Sequence, residues 1–187
     1  MKHTINFTPF PVIATHRFLL RQLSEQDAAA IYILRTDEEV NRYIDRQRAT
    51  SVEDVRAFIH KINENILKNE SILWAICTKE DPALIGTICL WNIQPSQSTA
   101  EIGYELLPQH HGKGIMQEVI PHVINYGFQE MQLEIIMAEL SPDNVKSVKL
   151  LEKNGFIFQE DKLPAEENGM MISYKLTKQS MHHTLSP

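Results

Sequence analysis

The sequence predicts a mixed α/β fold: a mostly antiparallel sheet flanked by helices. Two observations lead there. Apolar residues switch between strand-like runs and helical spacing in the order β α α β β β α β α β β, and a central strand feeds a helix that feeds a further strand. The chain has 187 residues, 43% hydrophobic and 22% charged, which suits one ordinary globular core; a single domain over 1–187 is expected, with its core at about 15–177.

Residues 1–11 show no period and reach Pro9 and Pro11, so they read as an N-terminal arm. Arg17 to Leu23 has strand composition, and Ser24 followed by Asp27 is a helix start before Ala28 to Leu34. Asp37 to Ile44 suggests a short second helical piece. Ser51 then caps an amphipathic stretch with Val52, Val55, Phe58, Ile59, Ile62 and Ile66 at helical spacing. Ile72 to Thr78, Leu84 to Asn92 and Thr99 to Leu107 are strand-like and separated by turn-rich segments, an antiparallel meander. A helix from Lys113 carries Ile115, Val119, Ile120, Val123, Ile124 and Phe128. Leu133 to Leu140 is a strand, Asp143 to Lys153 a helix, and Asn154-Gly155 its left-handed end. Phe156 to Gln159 and Met170 to Leu176 complete a strand pair, and residues 179–187 read as a loose polar tail.

Charge narrows the partners. Eighteen Lys+Arg against 24 Asp+Glu leave a formal net charge of −6 with no basic cluster, which argues against nucleic acid and favours basic partners. Cys77 and Cys89 lie in apolar runs and read as buried thiols rather than a disulfide framework. Met1 to Phe7 lacks a signal-peptide core and no apolar run approaches the ~18 residues that span a bilayer, so a cytoplasmic protein without a membrane partner is expected.

The chemistry concentrates in residues 101–118, read as strand, glycine loop and helix. Gly112 and Gly114 let backbone N–H groups turn inward together, and the following helix adds its positive N-terminal end, a cradle for phosphate. A P-loop needs Lys then Ser/Thr after its last glycine, where Ile115-Met116 stands; a dinucleotide fingerprint needs a third glycine where Gln117 stands.

Gln109-x-x-Gly112-x-Gly114 after a strand and Pro108 resembles the acetyl-coenzyme A signature of the GNAT N-acetyltransferases. Asn144 to Phe156, with Asn-x-x-Ser and a Lys-Asn-Gly-Phe end, resembles the same family's second cofactor segment. Thr15-His16-Arg17-Phe18-Leu19-Leu20-Arg21 and Ala100 to Tyr104 look most like the branch of ribosomal-protein N-terminal acetyltransferases. The resemblance spans about 15–177.

It implies a V-shaped splay between the strand ending at Leu107 and the strand Leu133 to Leu140, and direct acetyl transfer from acetyl-coenzyme A to an amine. Pantetheine would pair along Tyr104, Leu106 and Leu107, and pyrophosphate would land on the segment of His111, Gly112, Lys113, Gly114, Ile115 and Met116, with Gln109, Asn144 and Ser147 as further cofactor contacts. A strand N–H near Leu106 or Leu107 would polarise the thioester carbonyl. For the base, Glu139 is the first candidate, five residues before Asn144, and Glu101 the second; Glu105 and Tyr104 follow. The family's thiolate-protonating tyrosine aligns with Leu151, leaving Ser147 one turn earlier as the candidate hydroxyl. That departure keeps open a non-catalytic acyl-coenzyme A binding or sensing module. The acceptor is open between a protein N-terminus and a small amine or polyamine, and a homodimer is expected by analogy alone. No metal is expected: His110-His111 has no partner at ligand spacing, and His182-His183 falls in the tail. Trp74 and Trp91 are read as lining the sheet, with a place for one of them at the border of the acceptor pocket as the alternative, and Arg42, Arg46 and Arg48 as solvated side chains near one wall of the acceptor groove.

Overall fold

A computed structural model describes residues 5–160 and 171–180. In chain order it contains β1 (Ile13–Ala14), β2 (Phe18–Gln22), α1 (Ala28–Thr36), α2 (Val52–Leu67), β3 (Ile72–Thr78), β4 (Gly86–Gln94), β5 (Thr99–Leu106), α3 (Ile115–Gln129), β6 (Ile135–Leu140), α4 (Val145–Lys153), β7 (Ile157–Gln159) and β8 (Ile172–Thr177). The strands form one sheet in the order β1-β2-β3-β4-β5-β6-β8-β7, antiparallel except where β5 meets β6. The expected mixed sheet and its element order are therefore present, with β1 added.

Local chemistry accounts for the boundaries. Ser24 and Asp27 form a capping box ahead of α1, and Ser51 and Asp54 form another ahead of α2, with Ser51 Oγ accepting the Asp54 amide at 3.1 Å. Gly155, at φ +83°, ends α4 in the left-handed region that suits glycine. β3 is buried on both faces, which is why it reads as an unbroken apolar run.

The two faces are filled separately. Ile31 and Leu34 of α1 and Val55 and Ile59 of α2 pack on one face against Leu73, Ala75, Leu84 and Leu107. Val119, Ile120, Val123 and Phe128 of α3 and Leu151 of α4 pack on the other against Ala100, Ile102, Ile136 and Ala138. At Gly127 of α3 an added Cβ would come within 3.1 Å of Ile136 Cδ1, so glycine lets this helix lie close on the strands that bear the site.

One expectation changes. Asp37 to Ile44 forms turns rather than a helix, because Asp37 leaves α1 in extended geometry (ψ 131°) and its carboxylate accepts the Val40 amide. Asn41 then donates its side-chain amide to the carbonyls of Leu34 and Asp37, a local alternative to helical bonding. The described part of the arm, which showed no period in the sequence, is packed against the rest of the chain. Phe7 is 1% exposed, its amide donates to Asn69 Oδ1 at 2.8 Å, and Pro11 O accepts Trp74 Nε1–H at 2.7 Å. Residues 1–4 and 181–187, including His182 and His183, lie outside the described residues, as does Met170; Ser180 is tied back to Thr177. Trp74 on β3 and Trp91 on β4 both lie in the sheet, the first buried and the second 48% exposed. No helix among the described residues is long and apolar enough to cross a membrane.

Because the arm completes the core, Phe7→Ala should lower unfolding free energy by about 3–5 kcal/mol, the usual cost of emptying a buried phenylalanine site. Urea unfolding measures this; a loss below about 1 kcal/mol would mean the arm is not part of the core.

Candidate active site

β5 and β6 run parallel for three pairs only: Thr99 with Ile135, Ala100 with Ile136 and Glu101 with Met137. Beyond them β5 stays paired to β4 as far as Leu106, and β6 to β8 as far as Leu140. The inner edges diverge into a fork. Strand alternation says which atoms face it. The Leu107 amide donates to Ile85 O at 3.0 Å, so the bonded pairs with β4 fall on Leu107, Glu105 and Gly103. Leu106, Tyr104 and Ile102 consequently direct their backbone N–H and C=O towards the fork. Of the two amides expected to polarise a thioester, Leu107 is already used by the sheet and Leu106 faces the opening.

Below the fork lies the glycine loop. Pro108–His110 is a 3-10 turn in which the His110 and His111 amides donate to Leu107 O and Pro108 O. His111 therefore has no main-chain donor to offer, and its ring acts instead: Nε2 donates to Leu106 O at 2.9 Å, while Nδ1 lies 3.4 Å from Glu39. The amide cradle starts at Gly112. Gly112 (φ +72°) and Gly114 (φ +68°) both occupy the left-handed region, and Gly114 caps α3. The amides of Ile115 and Met116 belong to the first helical turn, which has no intrahelical acceptors for them, while their side chains are buried. Gln109 and Lys113 are exposed at the rim. These donors and the helix end fit a diphosphate.

At the far side of the fork Asn144 caps α4 by accepting the Ser147 amide at 3.2 Å. Ser147 Oγ in turn meets the Tyr104 hydroxyl at 2.6 Å. Burial pushes the Tyr104 phenol up to about 12, against the lowering effect of Ser147, so it keeps its proton at neutral pH. Leu151 is packed in the core at 1% exposed. Sequence reasoning placed Tyr104 on the cofactor edge but missed its bond to Ser147. The usable signal was parity, since an even-numbered β5 side chain shares the α3 and α4 face with Ala100 and Ile102.

The carboxylates sit on the opposite face. Glu101 and Glu105 have odd parity on β5, and the pairing of Glu101 with Met137 puts Glu139 on their face of β6, across the opening from Gly103. Glu139 is exposed. Glu101 accepts from Asn92 Nδ2. Glu105 is engaged by Arg46 at 2.7 Å, with side chains 14% and 19% exposed, and Arg46 also donates to Asn41 Oδ1 and Leu34 O. Arg46 is thus not a solvated side chain: it ties the loop after α1 to the fork. Beneath Gly103 lies Cys89, whose thiol burial pushes up to about 12; Cys77 and Cys89 are both free. Among the described residues no three His, Cys, Asp or Glu side chains gather as a metal site.

Comparison with known proteins gives a consistent picture. The sequence model described as Acetyltransferase (GNAT) domain matches residues 17–157. The chain is 37% identical to the uncharacterised N-acetyltransferase YoaA of Bacillus subtilis over 79% of its own length and 83% of that protein. It is 37% identical to the ribosomal-protein-serine acetyltransferase of Escherichia coli, over 43% of this chain and 45% of the other. Among solved structures, a GNAT-family acetyltransferase from Bacillus anthracis superposes with a TM-score of 0.75 at 25% identity, covering 90% of this chain and 99% of that one. RimL, a ribosomal L7/L12 alpha-N-protein acetyltransferase in complex with coenzyme A, shares the fold with a TM-score of 0.80 at 19% identity, over 91% and 99% of the two chains.

Glu118, on the first turn of α3, gives the site a pH signature. Burial opposes its charge, but Thr15 Oγ, the Arg17 amide and the Arg17 guanidinium outweigh that and hold the carboxyl down to about 2 from the ordinary 4.5. A depressed carboxyl stabilises the fold fully above about 4.5 and loses that contribution as pH falls towards about 2. Glu118→Gln should therefore flatten the acid side of the stability profile in that window. Urea unfolding at a series of pH values reads it, and parallel profiles for the two proteins would remove the role.

Proposed function

The chain belongs to the GNAT acetyltransferases, and from that premise we propose that it transfers an acetyl group directly from acetyl-coenzyme A to the α-amine of a protein N-terminus. The observation that carries the reading is the fork. A strand edge with inward amides, a glycine loop and a helix N-terminus lie in series, which suits an extended amide chain ending in a diphosphate. The relative named as acting on a ribosomal protein, and the fold shared with RimL, favour a protein N-terminus over a small amine or polyamine. An α-amine, with its pKa near 8, also demands less of the base than a lysine or polyamine near 10.

Gly112, Gly114, Ile115 and Met116 would hold the pyrophosphate through their amides, with Gln109 and Lys113 at the rim. Tyr104 and Leu106 would pair with the pantetheine arm, and Asn144 would border it. Acetyl-coenzyme A supplies the activated thioester. The Leu106 N–H would donate to the thioester oxygen, a contribution of about 3–4 kcal/mol for one well-placed donor. Glu139, through a water, takes the proton of the incoming amine; Glu101 is the second candidate. As the amine nitrogen bonds to the carbonyl carbon the C–S bond breaks, the nitrogen releases its surplus proton to solvent, and the sulfur accepts a hydrogen bond or a proton from the Tyr104–Ser147 hydroxyl pair, which solvent reprotonates. This pair supplies the hydroxyl that Leu151 cannot. Deprotonation and thiol departure then take place on opposite faces of the sheet.

Coenzyme A at a hundred times its Kd should stabilise the folded protein by about 2.7 kcal/mol, read as a thermal shift. Free thiol should appear with peptides bearing an unblocked N-terminus and not with their N-acetylated forms. Turnover of polyamines in preference to those peptides would overturn the acceptor assignment. Glu139→Gln should lower kcat by about a hundredfold or more while sparing the coenzyme A shift. An unchanged kcat would dismiss Glu139 as the base. Tyr104→Phe should lower kcat about tenfold with a smaller change in the KM for acetyl-coenzyme A; a pure KM effect would limit Tyr104 to binding.

A further inference from the structure

The segment Thr15-His16-Arg17, far from the glycine loop in sequence, is bonded to the back of it. Thr15 Oγ1 donates to Glu118 Oε1 at 2.6 Å, the Arg17 amide to the same oxygen at 2.7 Å, and Arg17 Nε to Glu118 Oε2 at 2.6 Å. The remaining arms of the guanidinium reach the loop: Nη1 to Lys113 O and Nη2 to Gly114 O, both at 3.3 Å. The Phe18 ring, itself buried, lies 4.8 Å from the guanidinium carbon. The fork of donors is thus held by a carboxylate at its root and applied to two successive carbonyls at its tips.

A trans peptide is planar, and its carbonyl points opposite to the N–H of the next residue. Drawing Lys113 O and Gly114 O towards Arg17 therefore turns the N–H groups of Gly114 and Ile115 away from it. The Gly114 carbonyl also accepts the Glu118 amide at 3.3 Å, the first bond of α3, so its plane has a second reference; Gly112 and Gly114, both left-handed, have no side chain to hold the Lys113–Gly114 plane, whose carbonyl is bonded by Arg17. We infer that Arg17, oriented by Glu118 and Thr15, is a positioning residue that aims the Gly114 amide, and together with the first bond of α3 the Ile115 amide, at the cofactor's diphosphate. The inference rests on the function proposed above. It also gives a role to the Thr15–Arg17 motif, which no step of the reaction uses. Lysine cannot substitute: a single ammonium carries the charge but not the planar set of donors that spans one carboxylate and two carbonyls.

The test compares wild type with Arg17→Lys, Arg17→Gln and Glu118→Gln. The first readout is the coenzyme A Kd by calorimetry. The second is the ratio of kcat/KM for acetyl-coenzyme A to that for acetylpantetheine, which lacks the diphosphate. Both Arg17 variants should raise the Kd roughly tenfold and lower the ratio by a similar factor. Glu118→Gln should shift both in the same direction by a smaller factor, and it decides the matter should the Arg17 variants fail to fold. A Kd within about twofold of wild type in all variants would overturn the inference, as would full rescue by lysine, which would make the role one of charge alone. Equal losses with acetylpantetheine would overturn it too, since they would mark general damage to the fold. If wild type itself binds no coenzyme A, the proposed function fails first, and that result is distinct from wild-type binding that the variants leave intact.

Discussion

The parallel ladder between β5 and β6 ends after Glu101 and Met137, while each strand stays bonded on its outer side, β5 to β4 and β6 to β8. That combination is the constraint from which the rest follows. An unpaired strand edge is ordinarily a hazard, because its free N–H and C=O groups invite another chain. Here the outer partners hold both edges rigid, so the unpaired groups form a fixed slot. His111 closes the lower end of the slot by satisfying the Leu106 carbonyl, which leaves the Leu106 amide as the directional group there.

Because side chains alternate along each strand, the slot is chemically two-sided. On the face covered by α3 and α4 it presents the paired hydroxyls of Tyr104 and Ser147 above a core closed by Leu151. On the face covered by α1 and α2 it presents carboxylates, with Glu105 already paired to Arg46 and Glu139 at the opening. A reaction that must take a proton from one participant and give one to another is well served by a sheet whose faces cannot exchange side chains.

Most of the architecture was legible in the sequence, because amphipathic periods, capping boxes and turn-rich breaks are local signals. Ser51 with Asp54, and Asn154-Gly155, behave in the structure as their residue types demand. The glycine loop could be placed from spacing alone. What could not be read is what depends on distant partners. The arm looked formless because Phe7 and Pro11 are held by Asn69 and Trp74 rather than by neighbours. Asp37 to Ile44 looked helical because composition does not reveal that Asn41 will cap Leu34 instead. At the site, residue types could not say which atoms were already spent. The Leu107 and His111 amides, the Glu105 carboxylate and the Tyr104 hydroxyl all have protein partners that only register and packing disclose.

The long sequence separations of these bonds bear on synthesis. Phe7 and Pro11 find their partners 62 and 63 residues later, and Arg17 reaches the glycine loop and Glu118 across 96 to 101 residues. Contacts of that span repay their loop-closure entropy only once the intervening chain has collapsed. As the polypeptide leaves the ribosome, the Phe7 ring must therefore wait uncovered until Asn69 has emerged, and the Thr15–Arg17 segment meets the glycine loop and Glu118 only after more than half of the 187 residues have been made.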